Sequence, residues 1–567
     1  MADGYARVTG RPQAVVVHVD VGTQALAHGI HNASVARVPV FIFAGLCPYT
    51  ESGELPGSRT EYSHWLQDPP DQKAIVRQYC RYTGEIRSGL NVKQNVGRAL
   101  QFACSAPKGP VYLAAAREPL AEEIEPYSLP QDQWVPIGPS ALPEEAVHTL
   151  AEALVHAERP LVITGYSGRD RRCPPLLAAL ADKIPGLRVH DTGGSDMCFP
   201  FTHPASQGFR LPGYDECTRD ADVILILDCD VPWIPSRNPP RKDARIYHID
   251  VDPLNQHLPV SFFPAHGRWK ADCYTALAQL LTHIDADSAL SQALQHPKYA
   301  ARWRELAESH RARLENIAKL PRLGDDEPLN AHNISRLLKD CLPEDTTFVI
   351  EAVTCAQTIS DQLQCSRPGS WINCGATGIG WSNGAALGVK MALDDQGKDL
   401  EEGNKKKPSL VCQIVGDGSY MCSAPSSAAW VARWHAPRHS TELVYPEGMN
   451  KDATRDELNL SFDPSPNYSQ LAKAAAGSSF ESDGGKNDWM QGARVNTVKA
   501  LRSQLEQAVT TVREQGRGFL LEALMERSHH SSDVGILNAY AMQCDPLADT
   551  RNSSRPHRSS GSMIDRI

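Results

Sequence analysis

Short apolar runs rich in β-branched residues recur along the chain, alternating with helix-like stretches. They include "AVVVHV" (14–19), "VPVFIFAG" (38–45), "GPVYLAA" (109–115), "PLVITGY" (160–166), "DVILILDCD" (222–230) and "RIYHIDVDP" (245–253). Three more follow: "TTFVIEAVT" (346–354), "SLVCQIVGDGS" (409–419) and "GFLLEALM" (518–525). Such runs read as buried strands, and their alternation with helices restricts the chain to the α/β class, with doubly wound parallel sheets. At 567 residues, the prior of roughly 150 residues per domain gives about three domains.

The breaks in the pattern set the expected boundaries. A first domain, 1–125, ends at the Pro-rich "EEIEPYSLPQDQWVPIGPS". A central domain follows over 140–285, opened by the helix-like "PEEAVHTLAEALVHA", and 286–330 reads as a helical connector. The third domain covers 331–527; within it Val498, Leu501, Leu505, Val509 and Val512 form one apolar stripe at helical spacing, which is core packing. From 528 to 567 periodicity is lost among Ser, Arg and Asp, as in a disordered tail. The His529–His530 pair there lacks nearby carboxylates and makes a poor metal site.

Charge and cysteine usage exclude several classes. A formal net charge of −10 argues against a general polyanion binder, and the densest basic run, Lys405–Lys407, lies in a mixed-charge loop. No apolar run is long enough to span a bilayer. The 15 cysteines are scattered without a CxxC pair. Reduced thiols in an intracellular, cytoplasmic protein are therefore expected, with organelle targeting left open.

Two glycine-rich elements carry the chemistry. In "CQIVGDGSYMCSAPSSAAW" (412–430) a strand ends at Val415 and a helix follows. Gly416 and Gly418 let a ligand approach the backbone, open amides and Ser419 suit a diphosphate, and Asp417 is a hard ligand of the kind Mg²⁺ prefers. A strand-to-helix turn capped by an Asp explains the same stretch. The second element, "CGATGIGWSNGAALGVKMA", has glycines at 375, 378, 380, 384 and 388. A dinucleotide loop there would need an acidic residue closing the next strand about 20 residues on. That distance falls in the charged loop 394–402, so a nicotinamide-dependent oxidoreductase is the weaker reading. A helix packed closely through small residues is the plain one.

Taken together, in this order and separation, the two elements resemble the C-terminal domain of thiamine-diphosphate enzymes of the acetolactate synthase and benzoylformate decarboxylase type. "MADGYARVTGRPQAVVVHVDVGTQALAHGIHNASVARVPVFIFAG" resembles the pyrimidine-binding domain, and "APKGPVYLAAAREP" its closing strand. The resemblance implies three domains: pyrimidine-binding, central and diphosphate-binding. It implies that Asp417 ligates Mg²⁺, that Gly416, Gly418 and Ser419 surround the diphosphate, and that Ile379 supports the bent cofactor. The backbone of Gly378 would bond the 4′-amino group. Gly22 and Thr23 in "DVGTQ", with Gln67 and Asp68 in "HWLQD", would approach the reacting carbon. The implied activity is decarboxylation or carboligation of a 2-keto acid, the cofactor serving as electron sink. A homodimer or homotetramer is implied as well, and FAD in the central domain is possible.

Two departures from the family pattern stand out. The family glutamate that hydrogen-bonds the aminopyrimidine would precede "MADGYAR", and neither Asp3 nor Asp20 replaces it. The first domain therefore reads as N-terminally truncated. The second metal ligand, an Asn ending the next strand, is expected about 25 residues beyond the Gly-Asp-Gly, from a helix of about 12 residues and a strand of about 5–6. No apolar strand stands there; Asn450 comes too late, and a short segment reads as missing between Pro437 and Thr441. Two readings follow: an imperfect reading of a gene, or a catalytically inactive paralogue acting through subunit association.

Overall fold

The computed structural model describes residues 1–193, 195–209, 216–255, 258, 260, 263–352, 354–398, 409–422, 467–475 and 490–525. These fall within one compact unit. The charged loop expected at 394–402 is instead helical as far as Lys398, because the helix from Trp381 continues through Asp394 and Asp395; its remainder, 399–402, with Lys405–Lys407, Pro437–Thr441, Asn450 and the 528–567 segment with its histidine pair, lies outside the described residues.

The first sheet holds β1 (Gln13–Val17), β2 (Val40–Gly45), β3 (Tyr82–Ile86) and β4 (Val111–Ala115), in the order β1-β2-β4-β3. All its pairings are parallel. The apolar pattern marked three of these strands. It missed β3, "YTGEI", because an edge strand containing Gly84 and Glu85 needs no continuous apolar run.

The middle sheet contains β5 (Pro160–Thr164), β6 (Arg188–Asp191), β7 (Ser206–Phe209), β8 (Val223–Leu227), β9 (Arg245–Asp250) and β10 (Gly267–Lys270). Its order is β10-β9-β8-β5-β6-β7, again parallel throughout. β5 and β8 are fully buried, as expected of parallel strands covered on both faces. The helices Glu144–His156, Cys173–Lys183 and Cys273–Ala286 supply one cover, packing Leu150, Leu154, Leu177, Leu180, Leu277 and Leu280 into the core. The connector forms two helices, Ser288–Leu294 and Pro297–Lys319.

In the third region β11 (Thr347–Glu351) lies between β12 (Trp371–Asn373) and β13 (Val411–Val415). β14 (Met490–Val495) and β15 (Gly518–Ala523) form a separate parallel pair. The predicted stripe lies on the helix Val498–Arg513, where Val498, Leu501 and Leu505 are buried and Val509 and Val512 half-buried. The helix Trp381–Lys398 packs against the N-terminal helix Ala2–Thr9. A methyl at Gly4 would overlap the carbonyl of Ala385, and one at Gly388 the carbonyl of Met1. Close packing through small residues thus accounts for the later glycines of the second element. Among the described residues no helix is long and apolar enough to cross a membrane.

Candidate functional site

In the third sheet the chain runs from β11 to β12 on one side and then to β13 on the other. A sheet that reverses direction in this way opens a crevice beyond the carboxyl ends of its strands. Three segments meet there. β11 ends at Glu351, the glycine-rich loop 375–380 follows β12, and the Gly416–Ser419 turn follows β13.

The turn is short. Gly416 N donates to the carbonyl of Glu351 at 3.2 Å, and Tyr420 N to the carbonyl of Gly416 at 2.9 Å as the helix Asp417–Cys422 begins. Asp417 is exposed and caps its own neighbour, Oδ1 accepting from Gly418 N at 2.8 Å. Ser419 is buried. Neither Gly416 nor Gly418 adopts a left-handed backbone conformation. A Cβ built on either meets nothing within 4 Å. Among the described residues, then, neither backbone conformation nor packing calls for glycine at these positions. Gly380 contrasts with them, because its φ of 94° favours glycine.

The other loop is held from two sides. From the first region, Asn32 on the helix Ala27–Val35 clamps one peptide: its Nδ2 donates to the carbonyl of Gly378 at 2.7 Å, while Gly378 N donates to its Oδ1 at 3.0 Å. Asn32 is buried, and a side chain at Gly378 would strike it. His31 Nε2 lies 3.2 Å from Thr377 Oγ1, and His28 Nδ1 lies 3.4 Å from the carbonyl of Ile379. Ile379 keeps 38% of its surface exposed. From the third region, Glu351 accepts three backbone N–H bonds just after the loop, from Gly380, Trp381 and Ser382 at 2.7–3.1 Å. Arg7 also reaches across, donating to the carbonyls of Asn373 (2.5 Å) and Cys374 (2.9 Å), pairing with Asp3, and stacking 4.8 Å above the Trp381 ring. Burial pushes the Cys374 thiol up to about 12, so it offers no thiolate at neutral pH.

Asn32, Arg7 and Glu351 escaped the sequence reading. The only available signal was a lone acid at the end of an apolar strand, "TTFVIE". A polar residue inside a helical pattern carries no mark of what it will face.

The remaining candidates lie in the first region. Thr23 is fully buried; its hydroxyl stands 2.9 Å from Tyr112 Oη and accepts from Gln72 Nε2 at 3.2 Å. Gly22 is half-buried on the short helix Val21–Gln24. Gln67 follows the helix Ser63–Leu66, and Asp68 pairs with Arg59. Asp20, weighed as a substitute acid, accepts from Gln24 Nε2 at 2.8 Å. Among the described residues no hydrogen bond or ion pair joins Gly22, Thr23, Gln67 or Asp68 to the Gly416–Ser419 turn. Nor do the described residues include a cluster of three or more His, Cys, Asp or Glu able to hold a metal. Mg²⁺ needs only one or two carboxylates when phosphate oxygens complete its shell, so Asp417 fits a metal that arrives with a diphosphate.

The middle sheet has its own crevice, between β5 and β8, and it is filled. Arg37 of the first region donates to Asp230 (2.7 Å) and Asp250 (2.9 Å) and stacks 4.9 Å from the Tyr166 ring. Burial opposes its charge, yet Asp250 and Asp230 hold the guanidinium above its ordinary value. Burial and the neighbouring Asp250 push Asp228 well above the carboxylate range. The carbonyl of Asp228 accepts from Gly165 N and Tyr166 N. Arg37 thereby ties the first region to the carboxyl ends of β8 and β9.

Three parallel α/β regions, with a switch-point crevice in the third, define a multi-domain doubly wound α/β protein. Models of the thiamine pyrophosphate enzymes match residues 1–75 (N-terminal TPP binding domain), 147–280 (central domain) and 352–437 (C-terminal TPP binding domain). The chain belongs to the thiamine pyrophosphate enzyme family. It is 23% identical over 498 residues to "Probable 2-ketoarginine decarboxylase AruI" of Pseudomonas aeruginosa, covering 84% of this chain and 79% of that one. The benzoylformate decarboxylase of the same organism is 22% identical, with 78% and 75% covered. The large subunit of acetolactate synthase isozyme 3 from Escherichia coli is 24% identical, with 74% and 69% covered. The solved 4-hydroxybenzoylformate decarboxylase of Rhodococcus jostii RHA1 superposes with a TM-score of 0.67 at 19% identity, covering 93% of this chain and 89% of that one. The expected three-domain α/β architecture is thereby established, and the family is one of 2-keto acid decarboxylases and acetolactate synthases.

Proposed function

We propose that this chain binds thiamine diphosphate with Mg²⁺ and decarboxylates a 2-keto acid, with carboligation to a second carbonyl as the further outcome. The observation that carries the reading is the Gly416–Ser419 turn, whose two glycines the backbone and packing of the described residues leave unexplained. In this reading Asp417 ligates the metal, while the amide of Gly418 and the Ser419 hydroxyl receive the diphosphate and Gly416, its own amide bonded to the Glu351 carbonyl, lets the cofactor approach the backbone. Ile379 and the Gly378 peptide, fixed by Asn32, bear on the pyrimidine side. Gly22 and Thr23 line the approach to the substrate, with Gln67 and Asp68 at its rim. The bound cofactor supplies the electron sink for the bond to CO₂; the protein's own residues bind, orient and exclude water.

We take the domains as 1–125, 140–285 and 331–527, and the working form as a homodimer or homotetramer. The exposed Leu387 and Met391 on the helix Trp381–Lys398 support association.

Isothermal titration with thiamine diphosphate, with and without Mg²⁺, tests the binding step, and CO₂ release across a panel of 2-keto acids tests turnover. Mg²⁺-dependent binding with release from at least one keto acid is expected. Absence of binding in a folded sample overturns the reading; binding without release from any keto acid identifies the inactive paralogue instead.

A further inference from the structure

We infer that Glu351 is a positioning residue that fixes the two cofactor loops relative to each other, an inference resting on the thiamine diphosphate reading above. Glu351 ends β11, the strand between β12 and β13, and is only 3% exposed. Its side chain and its backbone face different loops. Oε1 accepts from Gly380 N (2.7 Å) and Trp381 N (3.1 Å), and Oε2 accepts from Ser382 N (2.8 Å). Its own carbonyl accepts from Gly416 N at 3.2 Å. One residue therefore sets where the glycine-rich loop ends and where the Gly-Asp-Gly-Ser turn begins.

A second set of bonds closes the same circuit. Gln413 on β13 donates from Nε2 to Ser382 Oγ (2.9 Å) and Asn383 Oδ1 (2.5 Å). Asn383 Nδ2 then donates to the carbonyl of Tyr420 at 3.3 Å, just past the turn. The first turn of the helix Trp381–Lys398 is thus linked to both ends of the diphosphate element.

The chemistry requires a carboxylate here. The three converging groups are all N–H donors, and a carboxylate offers two oxygens and no donor. A glutamine would aim an NH₂ at one of those amides. The carboxylate also meets the positive end of an 18-residue helix. That helix end is consequently taken by Glu351, which leaves the Gly416 turn to receive an incoming anion.

The test compares the full-length chain with E351Q and E351D. Amide hydrogen exchange without cofactor reads the coupling, and titration with thiamine diphosphate and Mg²⁺ reads its consequence. E351Q is expected to speed exchange both at Gly380–Ser382 and at Gly416–Tyr420, and to weaken cofactor binding about tenfold. E351D, which keeps the charge, should recover part of both. Faster exchange at Gly380–Ser382 with none at Gly416–Tyr420 overturns the inference, as does E351Q binding the cofactor like the wild type. A merely structural role would lower the melting temperature and leave cofactor affinity unchanged. Wild-type chain that binds no thiamine diphosphate overturns the functional reading alone, and the exchange arm still decides the coupling. If E351Q does not fold, E351D carries the same comparison.

Discussion

The middle and third sheets each open a crevice at the point where strand order reverses, yet among the described residues one holds an ion-paired arginine and the other does not. Beyond β5 and β8, Arg37 is bound by Asp230 and Asp250 and stacked on Tyr166. Beyond β11 and β13, Asp417 is exposed, and a Cβ at Gly416 or Gly418 would meet nothing within 4 Å among the described residues. Both crevices arise from the same topology. What separates them is whether the polar groups at the strand ends already have partners. In the middle sheet a cation from another region satisfies them and the crevice becomes a joint. In the third, the polar side chain that reaches in, Glu351, is consumed in holding loops.

Removing the plug should produce the largest effect. Arg37→Ala leaves Asp230 and Asp250 without their countercharge and is expected to destabilise the chain by about 3–5 kcal/mol, read as a fall in the melting temperature. If R37A instead melts like the wild type and binds FAD, the crevice is a nucleotide site and the contrast fails.

Acid should act on the same side of the comparison. His248 on β9 accepts from Arg268 at 2.7 Å as a neutral ring, and burial followed by Arg268 lowers its pKa to about 4. A lowered value for a base means stability that is present above 6.5 and lost as pH falls toward 4. The loss at the acid end is about 3 kcal/mol, with Asp230 and Arg37 the other charges bearing on the ring. His248→Gln, which can still accept from Arg268, should flatten the melting profile across that window. An unchanged profile would show that the middle region does not set acid sensitivity.

Asn32→Ala leaves the Gly378 peptide without either clamp bond and should cost about 1–3 kcal/mol. Hydrogen exchange at Gly378 locates the change. Protection equal to the wild type would mean that the loop is held without the first region.

Gly418→Ala is the smallest and most diagnostic change. Gly418 lies in helical backbone with no neighbour near its missing Cβ among the described residues. Alanine should therefore stabilise the unliganded chain by about 0.5–1 kcal/mol while weakening thiamine diphosphate binding. Stabilisation without loss of affinity would show that the cofactor does not approach that glycine.

Legibility in the sequence followed apolar composition rather than burial: β6 is buried throughout yet polar and was missed, while half-buried β13 was read. The central strands β2, β5, β8 and β11 announced themselves as apolar runs, because parallel strands covered by helices exclude polar residues. The strands β3, β6, β7, β10, β12 and β14 were missed, since edges, short pairings and residues such as Arg188, His190 and Asp191 break the apolar signal. The GDGS turn was legible in combination: alone it fitted a capped turn equally well, and the glycine-rich element before it, in that order and separation, decided for the cofactor reading. The later glycines 384 and 388 belonged to the plain reading, close helix packing.

The sequence by itself determined the α/β class, the order of strand and helix, and the two glycine elements, since these depend on local pattern and on neighbours a few residues apart. Only the tertiary structure decided which crevice holds the ion-paired arginine. Asn32 meets Gly378 across 346 residues, Arg37 meets Asp250 across 213, and Glu351 meets Gly380 across 29. A hydrogen bond or ion pair between such distant positions leaves no periodicity in the chain. It exists only once the fold has brought donor and acceptor to within about 3 Å of each other and away from water.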